Sequence, residues 1–150
     1  MPLDPAFVGH AYPRSEVYEV GRAKIREFAE AIGDDHPKYR DVAAAQAAGH
    51  PDVIAPPTFP VILFGRYSVE DIANDPELGA DYDRLVHGDM KFEYARPVHA
   101  GDRLTVTTHI VDIDTRMGND FLMLRAEIDT EDGERVVTAH SQLVIRAEDA

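Results

Sequence analysis

The second half of the chain changes its hydrophobic period, and no other feature constrains the fold as strongly. Four strand-length windows alternate or run apolar: "RLVHGDMKFEYARPV", "DRLTVTTHIVDID", "NDFLMLRAEIDTE" and "ERVVTAHSQLVIRAE". They are separated by "HAGD", "TRMGND" and "EDGE". The Asp-Gly pair in "EDGE" predicts a tight hairpin with a primed turn, and the longer "TRMGND" predicts a looser one. The pattern therefore predicts an antiparallel meander of long strands.

The first half has a helical period instead. Apolar residues recur at i, i+3, i+4 and i+7, which predicts a helix that packs one face on a core. Gly33 supplies the left-handed residue that commonly ends a helix. The segment "DVAAAQAAGH" predicts a short second helix between residues 41 and 48. The apolar stripe of the first helix comprises Ile25, Phe28, Ala29 and Ile32.

The segment "IAPPTFPVILFGRYSVEDIAND" predicts a third helix with an unusual surface. Thr58 can cap its start, and Pro60 is tolerated in the first turn because that position has no intrahelical partner to lose. Apolar residues cover much of the circumference of this helix, so it should be buried along most of its length. A single sheet can enclose such a helix only by curling around it. We therefore expect an α+β fold.

Composition limits the class of protein. A chain of 150 residues, 44% hydrophobic and 29% charged, should form one globular domain over residues 1–150. Cysteine is absent, and none of the seven histidines are paired at helical spacing, so we expect neither a metal nor a cofactor. A net charge of −13 argues against a nucleic-acid partner. The sequence has no long apolar run and no signal-peptide pattern, which predicts a cytoplasmic protein without membrane contact.

A long buried helix wrapped by an antiparallel sheet resembles the hot-dog architecture. The segment "GDDHPKY" is similar to the signature of the (R)-specific enoyl hydratase and MaoC-like dehydratase family: Gly-Asp, any residue, Asn-Pro, an aliphatic residue, then His. The segments "YEVGRAKIREFAEAIGDD", "IAPPTF" and "MKFEYARPVHAGD" resemble a narrower group, the HadA-type subunits of actinobacterial (3R)-hydroxyacyl-carrier-protein dehydratases. The resemblance runs from about Val8 to Ile145. It implies a hydro-lyase of acyl thioesters that works as a hot-dog dimer.

The loop departs from the family signature at its chief catalytic position. In the family, an aspartate and a histidine five positions later take the C2 proton and protonate the leaving hydroxyl. Asp34 matches the aspartate, but Tyr39 stands at the histidine position, His36 at the asparagine and Lys38 at the aliphatic residue. A tyrosine with a pKa of about 10 is a poor base near neutral pH. His36 is a weaker candidate base, and Asp34 alternatively just caps the turn that follows the helix.

The helix start departs from the family as well. The family usually has His-Gly there, and the glycine N–H polarises the thioester carbonyl. This chain has Pro56 and Pro57, and proline has no N–H to donate. The N–H of Thr58 and the helix dipole remain able to attract a carbonyl oxygen. By resemblance, the acyl-binding residues are Ile54, Pro57, Thr58, Phe59 and Leu63, although the apolar members of this set equally suit a plain core.

These departures leave three functional hypotheses. The first is a subunit of a (3R)-hydroxyacyl thioester dehydratase or hydratase, on carrier protein or coenzyme A, that shapes the acyl pocket beside a MaoC-like catalytic partner. The second is a homodimer that binds acyl thioesters without turning them over. The third is a thioesterase that uses Asp34 or Asp35. A basic cluster suits an acidic carrier protein, a coenzyme A phosphate or a solvated helix face. Its members are Arg14, Arg22, Lys24, Arg26, Lys38 and Arg40.

Overall fold

The computed structural model describes residues 2–148 and confirms the α+β fold. The strands are β1 (Tyr18–Glu19), β2 (Leu85–Tyr94), β3 (Arg103–Arg116), β4 (Asn119–Thr130) and β5 (Arg135–Ile145). The helices are α1 (Arg22–Ala31), α2 (Val42–Ala47), α3 (Val61–Leu63) and α4 (Glu70–Ala73), with a π-helical segment, Phe64–Val69, joining α3 to α4. Single 3-10 turns form at Pro5–Phe7, Pro37–Tyr39 and Tyr82–Arg84. We call the continuous helical segment 61–73 the central helix.

The sheet is antiparallel in the order β1-β3-β4-β5-β2. The expected meander is therefore right for β3, β4 and β5 and wrong for β2, which pairs with β5 and not with β3. The physical reason lies in the connection 95–102, which is tied to the segment before the central helix. Ala55 N–H donates to the Val98 carbonyl at 2.7 Å, and Ala100 N–H donates to the Val53 carbonyl at 2.9 Å.

The core lies between the central helix and the concave face of the sheet. The central helix is buried on the side that faces the sheet and exposes Gly65, Arg66 and Glu70. Strands β4 and β5 bury alternate residues, as expected for a sheet with one covered face. Helix α1 packs with Ile25 and Ala29 buried, but Ile32 is 49% exposed because it caps the helix where Gly33 turns the chain away. The buried members of the central helix include Leu63, Phe64, Ser68 and Ile72.

The start of the central helix differs from the prediction. Thr58 does not cap it with its side chain; the position before the first helical residue is Pro60. The chain reaches the helix through a turn in which Phe59 N–H donates to the Pro56 carbonyl at 2.9 Å. Pro57 and Thr58 are the exposed central residues of this turn. None of the helices within residues 2–148 combines the length and the apolar character needed to cross a bilayer.

The relative tightness of the two hairpin turns is the opposite of the prediction. Met117 and Gly118 both have positive φ, 51° and 78°, and Arg116 pairs with Asn119, so "TRMGND" forms the tight two-residue turn. In "EDGE", Gly133 alone takes a positive φ, and a three-residue loop is closed by Thr130 N–H donating to the Glu134 carbonyl at 2.8 Å. The Asp-Gly pair therefore marked a hairpin but not its turn type.

Met117 provides a test of this hairpin. The Met117 side chain is 96% exposed, and its backbone adopts the left-handed conformation. Residues other than Asn or Gly adopt this conformation at a cost in free energy. We expect Met117→Asn to raise the free energy of unfolding by about 1 kcal/mol, measured by urea denaturation. Met117→Val, a β-branched control, should lower it. A lower stability for the Asn variant would contradict the turn assignment.

Candidate functional site

A cleft of about 520 Å³ opens between the Pro37–Tyr39 turn, the residues before the central helix and the end of β2. It brings together three of the predicted site residues: Tyr39, Ile54 and Pro57. Its full lining consists of Lys38, Tyr39, His50, Ile54, Pro57, Tyr94, Ala95, Arg96 and Pro97. A second cleft of about 550 Å³ lies between residues 12–16 and the C-terminal half of the central helix, is lined mainly by polar residues, and contains none of the predicted catalytic or acyl-binding residues.

The loop after α1 is held by its own side chains. Gly33, at φ 73°, ends the helix. The Asp34 carboxylate accepts a hydrogen bond from His36 N–H at 3.3 Å, and His36 Nδ1 accepts one from Lys38 N–H at 3.2 Å. The Asp34 side chain therefore caps this turn. The exposed His36 side chain likewise accepts a hydrogen bond from a backbone N–H of the loop. These bonds place Tyr39 at the end of the loop.

Tyr39 is the buried group of this loop. Its side chain is 4% exposed, and the Lys38 ammonium lies 5.2 Å from the centre of its ring. Burial raises the pKa of the Tyr39 phenol, and the nearby negative charge of Asp34 raises it further. The phenol therefore keeps its proton at neutral pH. In that state it can donate a hydrogen bond but cannot act as a base.

Tyr94 is the site residue that the sequence analysis missed. Its hydroxyl donates to the Pro57 carbonyl at 2.6 Å, which ties the end of β2 to the turn before the central helix. Burial and the neighbouring Tyr39 raise the pKa of Tyr94, so this phenol is protonated as well. The available signal was the strand alternation: Phe92 and Tyr94 are two apart and therefore face the same side of β2. Their rings lie 6.4 Å apart.

The predicted acyl-binding residues divide between the cleft and the core. Ile54 is buried, and its N–H donates to the Lys38 carbonyl at 3.0 Å, so it fixes the loop that carries Tyr39. Phe59 and Leu63 are fully buried behind the cleft and do not line it. Thr58 is exposed, and its N–H takes no part in the hydrogen bond that closes the turn, which runs from Phe59 N–H to the Pro56 carbonyl.

The lining of the cleft is partly apolar and partly polar. The cleft offers an apolar wall, two protonated phenols, the imidazole of His50 and the cationic side chains Lys38 and Arg96. The Tyr94 hydroxyl is already engaged with Pro57. The Tyr39 phenol is engaged by the Asp34 carboxylate, through its charge and a side-chain hydrogen bond. Within the described part of the chain, no three His, Asp or Glu side chains are grouped closely enough to hold a metal ion.

Comparisons with known proteins agree with the observed fold and identify the protein family. A sequence model of the FAS1-like dehydratase domain region matches residues 6–139. A UPF0336 protein of Streptomyces coelicolor is 58% identical over 147 residues, which is 98% of this chain and 97% of that protein. Among solved structures, the HadBC (3R)-hydroxyacyl-ACP dehydratase complex of Mycobacterium tuberculosis has a chain with TM-score 0.84 and 31% identity, covering 96% of this chain and 99% of that one. A MaoC-like dehydratase has TM-score 0.81 and 35% identity, covering 96% of this chain but 43% of its own.

The raised pKa of Tyr94 predicts a pH dependence of stability. The unfolded chain releases this proton near the ordinary value of about pH 10, whereas the folded chain holds it. The contribution is therefore full below pH 10 and is lost as the pH rises above it. We expect Tyr94→Phe to reduce the fall in the free energy of unfolding between about pH 9 and pH 11, measured by urea denaturation. The matched control is Tyr82→Phe, which removes an exposed phenol. An unchanged pH slope in Tyr94→Phe would contradict the assignment.

Proposed function

Because the chain belongs to the family of FAS1-like dehydratase domains, we propose that it is a pocket-forming subunit of a (3R)-hydroxyacyl thioester dehydratase or hydratase. It has the single hot-dog domain of the related (3R)-hydroxyacyl-ACP dehydratase structures, with one curled sheet around a central helix. In this proposal the chain binds the acyl group, and a second hot-dog subunit of the MaoC type supplies the aspartate and histidine that move protons.

The observation that carries the proposal is the protonated phenol of Tyr39. Dehydration needs one group that removes the C2 proton and another that protonates the C3 hydroxyl as it leaves. Tyr39 stands where the family signature has its histidine, and its raised pKa removes it further from the range of a useful base. Replacing a positioned imidazole by such a group costs roughly 10²–10⁴ in rate.

A second observation supports the same division of labour. At the start of the central helix, Pro57 has no N–H, and its carbonyl is already taken by the Tyr94 hydroxyl. A thioester carbonyl would meet no oxyanion donor at that position. The lost base and the lost donor belong to one mechanism, so their joint absence fits a chain that is relieved of catalysis.

The sheet edge supports a second subunit. Strand β2 stands at one end of the strand order and, within residues 2–148, pairs with β5 alone, so its other side presents unpaired backbone groups. Most of its side chains are exposed or half-buried. Tyr94 ends this strand and lines the cleft. A hot-dog partner that pairs with β2 would therefore lie beside the acyl cleft and could complete it.

The same edge also suits a second copy of this chain, which keeps the alternative of a non-catalytic homodimer that binds acyl thioesters. Native mass spectrometry separates the two, because a ligand-loaded homodimer and a heterodimer differ in mass. The thioesterase hypothesis gains no comparable support: the Asp34 carboxylate accepts a hydrogen bond within its own loop.

The proposal is tested by hydration of a crotonyl thioester, followed by loss of absorbance of the conjugated double bond. We expect the purified chain to be slower by about 10²–10⁴ than the same chain co-purified with a MaoC-like partner. The partner alone is the control for its own activity. Fast turnover by the isolated chain would overturn the division of labour.

Restoring the two missing groups provides an independent test. Tyr39→His should by itself raise hydration by the isolated chain only slightly, because the carbonyl still has no donor at Pro57. The double variant Tyr39→His with Pro57→Gly should raise it by about 10² or more. Tyr39→Phe serves as the matched control, with no gain expected. A double variant that binds acyl thioester but shows no gain would contradict the assignment of these two positions.

A further inference from the structure

The two phenols that line the acyl cleft already have partners for their protons. The Tyr94 hydroxyl donates to the Pro57 carbonyl at 2.6 Å. The Tyr39 phenol is engaged by the Asp34 carboxylate. In both pairs the phenol is the donor, so neither proton is free to bond to a ligand.

The two cationic side chains of the lining can donate hydrogen bonds but cannot accept them. The Arg96 guanidinium donates to both Asp102 oxygens, at 2.9 and 3.0 Å, and to the Glu134 carboxylate at 2.8 Å. The Lys38 ammonium lies 5.2 Å from the centre of the Tyr39 ring. Guanidinium and ammonium groups have no acceptor atom. Neither cation can therefore receive the proton of a ligand hydroxyl.

His50 differs from the other polar groups of the cleft. Its side chain lines the cleft and is half-buried, and within residues 2–148 it forms neither a hydrogen bond nor an ion pair. A neutral imidazole has one donor nitrogen and one acceptor nitrogen. Among the side chains of the described lining, His50 is therefore the uncommitted group that can accept a hydrogen bond.

The backbone holds His50 in place at the end of α2. Gly49, at φ 93°, gives the left-handed turn that ends the helix. Its N–H donates to the Gln46 carbonyl at 3.0 Å, and the His50 N–H donates to the Ala45 carbonyl at 3.0 Å, which are the two bonds of a Schellman motif. Pro51 follows and restricts the backbone of His50 to extended conformations. The imidazole is therefore presented to the cleft from a fixed backbone.

We infer that His50 accepts a hydrogen bond from the 3-hydroxyl group of a bound 3-hydroxyacyl thioester, and that it selects such thioesters over the saturated and 2,3-unsaturated ones. This inference rests on the proposed function and specifies the ligand of the same cleft. A hydroxyl that leaves water without finding an acceptor loses a hydrogen bond, which weakens binding. His50 supplies that acceptor, and a thioester without the hydroxyl leaves the imidazole unused.

The test compares two thioesters that differ in this hydroxyl alone, (R)-3-hydroxybutyryl-CoA and butyryl-CoA, by isothermal titration calorimetry with the full chain. We expect Kd to be about fivefold lower for the hydroxylated thioester. His50→Phe should remove this difference and leave Kd for butyryl-CoA within about twofold, which also shows that the cleft is intact. His50→Gln, whose amide oxygen can accept a hydrogen bond, should keep part of the difference.

The matched control is His10→Phe, which replaces an exposed imidazole outside the cleft lining and should keep the full difference. Equal affinity for the two thioesters in the unmodified chain, a difference that persists in His50→Phe, or the same loss in His10→Phe would each overturn the inference. If His50→Phe no longer binds butyryl-CoA, the smaller change His50→Ala decides on the same criteria.

A second readout separates hydroxyl binding from proton transfer by the same imidazole. In dehydration of (R)-3-hydroxybutyryl-CoA by the chain with a MaoC-like partner, His50→Phe should raise KM about fivefold and leave kcat within about threefold. A fall in kcat of about 10² or more with unchanged KM would assign proton transfer to His50 and overturn the binding role.

Failure of this inference is distinguishable from failure of the proposed function. If the unmodified chain binds both thioesters equally, only the role of His50 is wrong. If it binds neither, the proposed acyl-binding function is wrong and the role of His50 is wrong with it.

Discussion

Burial of the central helix inside the curled sheet is the constraint on which the other features depend. The helix exposes Gly65, Arg66 and Glu70, but its large apolar side chains must be covered by the sheet. Each large side chain that is fully buried contributes about 1.5–3 kcal/mol to the free energy of unfolding. A buried polar pair in this contact is satisfied: the Thr108 hydroxyl donates to the Ser68 hydroxyl at 2.8 Å. Because the helix is fixed, the turn before it is fixed too. Pro57 is thereby held opposite Tyr94.

The cleft is held by a frame of hydrogen bonds. Backbone hydrogen bonds from Ile54 to Lys38 and side-chain bonds from Asp34 and His36 hold the loop that carries Tyr39. The polar groups that hold the frame are then not available for proton transfer. Both phenols keep their protons because burial raises the pKa of each. These features support the proposal that the chain binds an acyl group and that another subunit supplies the acid–base catalysis.

The sequence predicted much of this architecture, and the errors have physical causes. The buried stripe through Ile25 and Ala29 is local information, which periodicity reports well. Strand order depends on contacts between residues far apart in the sequence. The local pattern therefore predicted neither the pairing of β2 with β5 nor the two-residue strand β1. The turn types were predicted wrongly because the tight turn was expected at Asp-Gly in "EDGE". It forms instead at Met117, which adopts a left-handed backbone. The Tyr94 to Pro57 bond joins residues 37 apart, beyond any local pattern.

The central claim is that the isolated chain binds a 3-hydroxyacyl thioester without a base able to remove its C2 proton. Exchange of that proton for deuterium in D2O, followed by NMR with the thioester bound to the chain, measures this step directly and needs no net reaction. The account predicts that exchange with the isolated chain proceeds at the rate seen in buffer alone. Exchange should become rapid only when a MaoC-like partner is added. Rapid exchange with the isolated chain, abolished by substitution of Tyr39 or of His50 in the cleft lining, would contradict it.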